Sequence, residues 1–199
     1  MDSVEMRALA CSAQSARRNG DTLFLRLASG RDTTFVDDQT SEAPGGYRYA
    51  GRIGRAGLHA IEQYGHETAP VWIFINVRTG RHVVAADKPI LSPDTSRFAT
   101  ASESWNNCTE LDHPRLDIWR LTDSLPALEW RLDPWSCTTG SGWGPTDPTW
   151  LSRDTLRFTR NDMEFSKSEA AHSAGQPVYR KRTMLAARDR RGWRITSQP

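Results

Sequence analysis

The sequence of 199 residues lacks the features of several large protein classes. It has no apolar run near 18 residues and no secretory signal peptide, so we expect no membrane span. Its three cysteines form no paired zinc-binding motif. Its charge is nearly balanced, with 26 basic and 24 acidic residues, which argues against nucleic acid as the main partner.

Signatures of catalysis are also missing. The chain contains no nucleophile elbow, no phosphate-binding glycine loop and no His-Glu-x-x-His zinc motif. Two groups of histidine and acidic residues have conceivable metal-binding spacing. They are His59, Glu62, His66 and Glu67 in one case, and Glu110, Asp112, His113 and Asp117 in the other. We interpret both groups as polar surface and expect a protein that is not an enzyme and holds neither a cofactor nor a metal.

What the chain does contain is a short phrase that occurs twice. Residues 91–98 read Leu-Ser-Pro-Asp-Thr-Ser-Arg-Phe, and residues 151–158 read Leu-Ser-Arg-Asp-Thr-Leu-Arg-Phe. Six of the eight positions are identical, and the two copies are 60 residues apart. This repeated phrase indicates that one structural unit is used more than once.

The repeated phrase predicts a tight turn followed by a strand. Ser, Asp and Thr side chains bond nearby backbone N–H groups and stabilise such turns. The residues that follow alternate polar and apolar side chains, so we expect Phe98 and Phe158 to point into the core. Weaker echoes occur at residues 19–24 and 55–58. The turns near residues 21, 57 and 94 are spaced by about 40 residues, which is the length of one propeller blade.

Residues 91–98 resemble the Ser-Pro-Asp-Gly turn and following strand of the WD-like β-propeller repeats of the TolB family. Thr95 stands where that family usually has glycine. The resemblance implies a propeller-like array of antiparallel sheets. Because an ordinary propeller needs a longer chain, we expect a small or incomplete one. The repeat is a scaffold signature, so no functional residue is carried over from the family.

Apolar patterning predicts strands along most of the chain. The clearest segments are residues 22–27, 33–36, 71–77, 82–86, 116–121, 128–132, 183–188 and 193–196. Good helix formers near the start predict a short N-terminal helix. The predicted fold is therefore all-β, a small or incomplete propeller-like array of antiparallel sheets in a single domain.

The predicted domain consists of an N-terminal extension, residues 1–18, and a repeat array, residues 19–199. Two loops rich in Trp, Pro, Gly, Asn and Cys, residues 105–114 and 133–148, are insertions in this array. Residues 161–177 are polar and predict a further loop.

Eight tryptophans are many for a chain of this length. We expect most of them to pack between sheets. The two inserted loops nevertheless favour recognition, because loops on rigid scaffolds commonly bind partners and Trp is enriched at binding hot spots. The predicted partner-binding residues are Trp105, Asn106, Asn107, Trp135, Trp143 and Trp150.

The positions of the cysteines indicate the cellular compartment of the protein. Cys108 and Cys137 lie in the two inserted loops, each two or three residues after a tryptophan. This shared context predicts a disulfide that closes a loop of about thirty residues and stabilises the fold by about 3 kcal/mol in the chain-entropy model. The alternative is two free buried thiols, and Cys11 is unpaired in either case. We expect a periplasmic or secreted protein, with the cytoplasm as the alternative.

The function we expect is a non-enzymatic extracytoplasmic module that binds a protein partner through its tryptophan-bearing loops. By analogy of size and fold, it would act as an inhibitor or immunity-type protein. Two other classes stay open. One is a carbohydrate-active enzyme that uses Glu110, Asp133 and Asp147, and the other is a structural subunit that pairs through an open sheet edge. Basic stretches at residues 180–182 and 188–191 could meet an acidic surface, although we prefer to interpret them as solvated strand edges.

Overall fold

The computed structural model describes residues 2–40, 42, 44–54, 57–65, 70–103, 113–136, 138–139, 142–164 and 178–197. This part of the chain contains one helix, α1 (Ser3–Ala10), followed by strands. The strands are β1 (Ala16–Asn19), β2 (Thr22–Arg26), β3 (Asp32–Val36), β4 (Gly45–Ile53), β5 (Leu58–Gly65), β6 (Val71–Ile75), β7 (His82–Ala86), β8 (Ile90–Leu91), β9 (Arg97–Ser102), β10 (Arg115–Arg120), β11 (Ala127–Leu132), β12 (Trp143–Ser152), β13 (Thr155–Glu164), β14 (Val178–Asp189) and β15 (Gly192–Ser197). The predicted N-terminal helix is confirmed.

The strands form four antiparallel sheets, each built from consecutive strands in chain order. Sheet 1 contains β1 to β3, sheet 2 contains β4 to β7, sheet 3 contains β8 to β11, and sheet 4 contains β12 to β15. The all-β fold class is therefore confirmed, and the propeller arrangement stays a prediction.

The repeated phrase and its echoes lie at equivalent places in the four sheets. Residues 91–98 span the β8–β9 hairpin, and residues 151–158 span the β12–β13 hairpin. Residues 19–24 connect β1 to β2, and residues 57 and 58 lead into β5. Each occurrence is thus the first hairpin of its sheet, and the sheet is the repeating unit.

Side-chain hydrogen bonds hold the first copy of the phrase in its turn. The Asp94 carboxylate accepts hydrogen bonds from Ser92 Oγ at 2.8 Å and from the Ser96 backbone N–H at 3.1 Å. These two bonds, the one from Ser92 first, lower the pKa of Asp94. Thr95 adopts φ +54°, the left-handed region that favours the glycine of the TolB-type turn. Phe98 and Phe158, which follow the two turns, are buried as predicted.

The chain divides into two compact units. The first comprises Met1–Pro89 and Trp119–Ala127, and the second comprises Ile90–Ile118 and Leu128–Pro199. The core of the first unit is formed by Ala16, Leu23, Leu25, Tyr49, Ile61, Ile73 and Ile75. The core of the second is formed by Ala99, Ala101, Leu116, Ile118, Leu156, Phe158, Met184, Ala186 and Trp193. The expectation of a single domain stays a prediction.

A buried charged group, which we name the Arg18 cluster, fixes α1 in the first unit. Arg18 on β1 donates through Nη2 to Glu5 Oε1 on α1 at 3.0 Å and through Nη1 to Asp37 Oδ2 at 2.9 Å. The backbone N–H of Tyr49 donates to Glu5, and that of Tyr47 donates to Asp37. Each carboxylate thereby accepts hydrogen bonds both from the guanidinium and from a backbone N–H, as burial of charge requires. The predicted N-terminal extension is thus tied to sheets 1 and 2.

A second charged group, the Arg97 cluster, joins sheets 3 and 4 in the second unit. Glu129 accepts hydrogen bonds from Arg97 Nε at 2.6 Å and pairs with Arg188 Nε at 2.9 Å. Asp154 Oδ1 lies 3.7 Å from a guanidinium nitrogen of each arginine. Arg97 belongs to the first copy of the phrase and Asp154 to the second, so the two copies contribute opposite charges to one cluster.

Two predicted loops are shorter in the structure than in the sequence interpretation. Residues 143–148 belong to β12, and residues 161–164 belong to β13. Gly and Pro at positions 144, 145 and 148 suggested a loop, but β12 lies at the edge of sheet 4, where proline is tolerated. Within the part of the chain that the structure describes, no helix is long and apolar enough to cross a membrane.

Arg18→Met should lower the free energy of unfolding by about 3–5 kcal/mol, because it leaves two buried carboxylates without their cation. The matched control is Arg17→Met on the same strand, where an exposed arginine pairs with Asp32. That change should cost about 1 kcal/mol or less. Urea denaturation followed by tryptophan fluorescence measures both. Equal losses would show that the Arg18 cluster is not a buried anchor.

His59 should make stability depend on pH. Its ring is fully buried beside Tyr49, with Nδ1 3.1 Å from the Tyr49 hydroxyl, and burial lowers the pKa of His59 from its usual 6.5. The unfolded chain therefore binds the proton more readily, so this contribution is present above pH 6.5 and is lost as the pH falls toward the folded-state pKa.

The free energy of unfolding should fall between pH 7.5 and pH 5.0 in the wild type and fall less in His59→Phe. The control is His82→Phe, at an exposed position on β7, which should keep the wild-type slope. Denaturation curves at the two pH values measure the difference. If the free energy of unfolding falls as much in His59→Phe as in the wild type, His59 is not the source of this pH dependence.

Candidate binding surface

Part of the predicted site lies outside the described residues. This applies to Trp105, Asn106 and Asn107, and to both partners of the predicted disulfide, Cys108 and Cys137. Cys11 is described, and its thiol is exposed and free. The binding roles and the disulfide therefore stay predictions.

The described tryptophans all contact the interior to some degree. Trp72, Trp119 and Trp193 are buried. Trp130, Trp135, Trp143 and Trp150 are half-buried. This distribution agrees with the interpretation that most tryptophans pack between sheets. The half-buried ones expose part of an indole on a fixed support.

Trp150 is an anchor of the second unit. Its indole N–H donates to the backbone carbonyl of Ile90 at 2.8 Å, which connects β12 to β8. Its ring meets Trp193 edge to face, with centroids 5.9 Å apart. These contacts give Trp150 a structural role, whatever its part in binding.

Trp143 lies within the second predicted loop, residues 133–148, and is the first residue of β12 in the structure. Its ring stacks on Phe158 at a centroid distance of 6.2 Å and an interplanar angle of 11°. The Arg160 guanidinium lies 4.9 Å from the centre of the same ring. A cation over an indole is attracted by the ring's quadrupole, so both neighbours restrain Trp143.

The strand register surrounds Trp143 with charged residues on one face of sheet 4. Trp143 pairs with Asp162, which pairs in turn with Arg180, and Arg160 pairs with Arg182. We call these five residues the Trp143 patch. Asp162 Oδ1 accepts from Arg160 Nε at 2.7 Å, and Arg182 Nε lies 3.6 Å from Asp162 Oδ2. One carboxylate is therefore shared by two guanidinium groups.

The two predicted loops meet in the described part of the chain. His113 Nε2 lies 3.2 Å from Asp133 Oδ2, which connects the end of the 105–114 segment to the start of the 133–148 segment. Trp135 follows two residues later and is half-buried. The contact supports the idea that both loops contribute to one surface.

The described carboxylates that the carbohydrate-active enzyme alternative would use bond to different partners. Asp133 bonds His113, and Asp147 accepts a hydrogen bond from Thr146 Oγ1 at 3.0 Å. Glu110 lies outside the described residues. Among the residues that the structure describes, no group of three or more His, Cys, Asp or Glu could hold a metal ion.

Asn161 is a buried polar residue that sequence reasoning missed. Its Nδ2 donates to Glu103 Oε2 at 2.9 Å and to Thr146 Oγ1 at 3.0 Å. These bonds join the end of β9 to β12 and β13 beneath the Trp143 patch. The residue lies in a polar stretch that resembles a loop in sequence, so only the register identifies it.

Among the described residues of the first unit, two clefts lie against α1. One, of about 570 Å³, lies over the Arg18 cluster and is lined in part by Tyr47, Arg48 and Tyr64. The other, of about 450 Å³, is lined by both apolar and charged residues, among them Phe24 and Arg26. The carboxylates of the Arg18 cluster already accept hydrogen bonds from protein groups, so we place the candidate binding surface in the second unit.

We compared the chain with protein-family models, with curated proteins and with solved structures, and none of these comparisons gave a match. We therefore base the functional proposal on the residues of this chain.

The predicted disulfide can be tested by counting thiols. The unfolded protein should show one reactive thiol, that of Cys11, without reductant and three after reduction. A non-reduced digest should contain a linked Cys108–Cys137 peptide, identified by mass spectrometry. Three reactive thiols without reductant would contradict both the disulfide and its support for an extracytoplasmic location.

Proposed function

We propose that this protein is a non-enzymatic, extracytoplasmic protein-binding module that acts as an inhibitor or immunity-type protein. Its contact surface consists of the two loops at residues 105–114 and 133–142 together with Trp143, the first residue of β12. The observation that carries the proposal is the His113–Asp133 contact, which brings the described ends of both loops together. Recognition by loops on a fixed scaffold is a common arrangement, because the scaffold limits the entropy lost on binding.

The partly exposed tryptophans support a protein partner. Trp135 and Trp143 each bury part of an indole and expose the rest. Trp143 is restrained by Phe158 and Arg160, so binding would fix few additional rotamers. Large, rigid aromatic side chains of this kind contribute most of the affinity at many interfaces.

We propose further that the four sheets are blades of an incomplete propeller. Each sheet is a meander of consecutive strands, and the first hairpin of each contains the repeated phrase or one of its echoes. A radial arrangement of the sheets in an experimental structure would support this assignment, and two face-to-face layers would contradict it.

Trp135→Ala combined with Trp143→Ala should weaken binding of the protein partner about 30-fold or more, the effect of losing a binding hot spot. The partner is first identified by retention on immobilised wild-type protein, and its dissociation constant is then measured by calorimetry. Leu128→Ala, at an exposed apolar position of β11, is the control and should leave affinity unchanged. If the double variant has a native circular dichroism spectrum and unchanged affinity for the partner, the loop proposal is wrong.

A further inference from the structure

The β13–β14 hairpin extends beyond the strand that borders it. β13 and β14 pair over ten positions, from Thr155 opposite Ala187 to Glu164 opposite Val178. β15 pairs with β14 only from Asp189 to Met184. Among the described strands, none borders the outer edge of β14 at residues 178–183. We call this segment the β14 edge.

The backbone of the β14 edge is oriented to accept another strand. The N–H of Arg188 donates to the Asp154 carbonyl at 2.9 Å, on the β13 side of β14. The register with β13 shows no break from Ala187 to Val178, so backbone groups alternate sides regularly. The N–H and C=O groups of Lys181 and Thr183 therefore point away from β13, toward the outer edge.

The side chains of the β14 edge are strongly basic. Arg180, Lys181 and Arg182 are consecutive and exposed. Arg182 lies directly opposite Arg160 on β13, and like charges in that position destabilise a sheet. Asp162, opposite Arg180, is half-buried, and its single charge is already shared by Arg160 and Arg182. A second carboxylate would bring the charges of these three side chains closer to balance.

The net positive charge of the chain is concentrated in residues 143–199. Residues 143–199 contain eleven basic and six acidic residues, whereas residues 1–142 contain fifteen basic and eighteen acidic ones. A second copy of this chain would bring an equally basic edge against β14, and the two would repel. An acidic strand would be attracted instead.

We propose that the β14 edge binds an extended acidic segment of another protein as an additional strand of sheet 4. Main-chain hydrogen bonds to Lys181 and Thr183 supply affinity. Every second side chain of the segment lies on the same face of the sheet, so acidic residues at alternate positions face either Arg160 and Arg182 or, in the other register, Lys181. This surface shares Arg160, Arg180 and Arg182 with the Trp143 patch, but it binds through the backbone of β14 and not through the two loops, so the inference goes beyond the loop-mediated function.

The probe is a fluorescein-labelled peptide of four Val-Glu repeats, and its binding is measured by fluorescence anisotropy on the full chain. We expect saturable binding together with slower amide hydrogen exchange at Lys181 and Thr183. The same peptide with every backbone amide N-methylated, which keeps its charge but has no N–H donors, should bind at least tenfold more weakly. A Val-Lys peptide should not bind.

Variants test the charge requirement. Lys181→Glu combined with Arg182→Glu should weaken binding of the Val-Glu peptide at least tenfold. Arg190→Glu combined with Arg191→Glu, an equal change of charge at exposed positions of the β14–β15 turn, should change it less than twofold. The comparison of peptides uses the wild-type protein and stays decisive if a variant fails to fold.

Three results would overturn the proposal. The first is absence of binding by the Val-Glu peptide. The second is equal binding of the N-methylated peptide or of an oligothymidylate of eight nucleotides, since either would show attraction by charge alone. The third is slow exchange at Lys181 and Thr183 in the free protein, which would show that the chain covers this edge itself.

Discussion

The Arg97 cluster is the constraint on which the second unit depends. It holds a glutamate and an aspartate between two arginines, drawn from β9, β11, the β12–β13 turn and β14. Arg97 and Glu129 are largely buried, and buried charges are stable only when they keep their partners, so the cluster fixes how sheets 3 and 4 meet. The Trp150 bond to Ile90 and the Asn161 bond to Glu103 span the same two sheets. The support beneath Trp143 depends on this alignment.

Local patterns were sufficient to predict much of the fold. The predicted strand at residues 82–86 coincides with β7, and Phe98 and Phe158 are buried as the phrase implied. These predictions hold because the apolar side chains at these positions meet a core. Apolar patterning failed at residues 143–148 and 161–164, where Pro, Gly and polar residues occupy paired strands of sheet 4. There, strand pairing holds the backbone without an apolar pattern to reveal it.

The site could be predicted only in part, because its chemistry depends on register. Sequence composition identified Trp143, but not that Arg160 would lie over its ring or that Arg182 would lie opposite Arg160. The Arg18 cluster gives the same lesson in the first unit, since Glu5, Arg18 and Asp37 are distant in sequence and have no motif. Such contacts can be predicted only when the strand pairing is known.

The pairing of consecutive strands has a consequence for how the chain acquires its structure. In each sheet, every strand pairs with its neighbours in sequence, so the contacts within a sheet are short in sequence separation. Contacts of this kind close small loops and form faster than pairings between distant segments. During synthesis, a sheet can therefore assemble soon after its last strand emerges. The contacts between sheets, among them the charged clusters, must wait for residues that are made later.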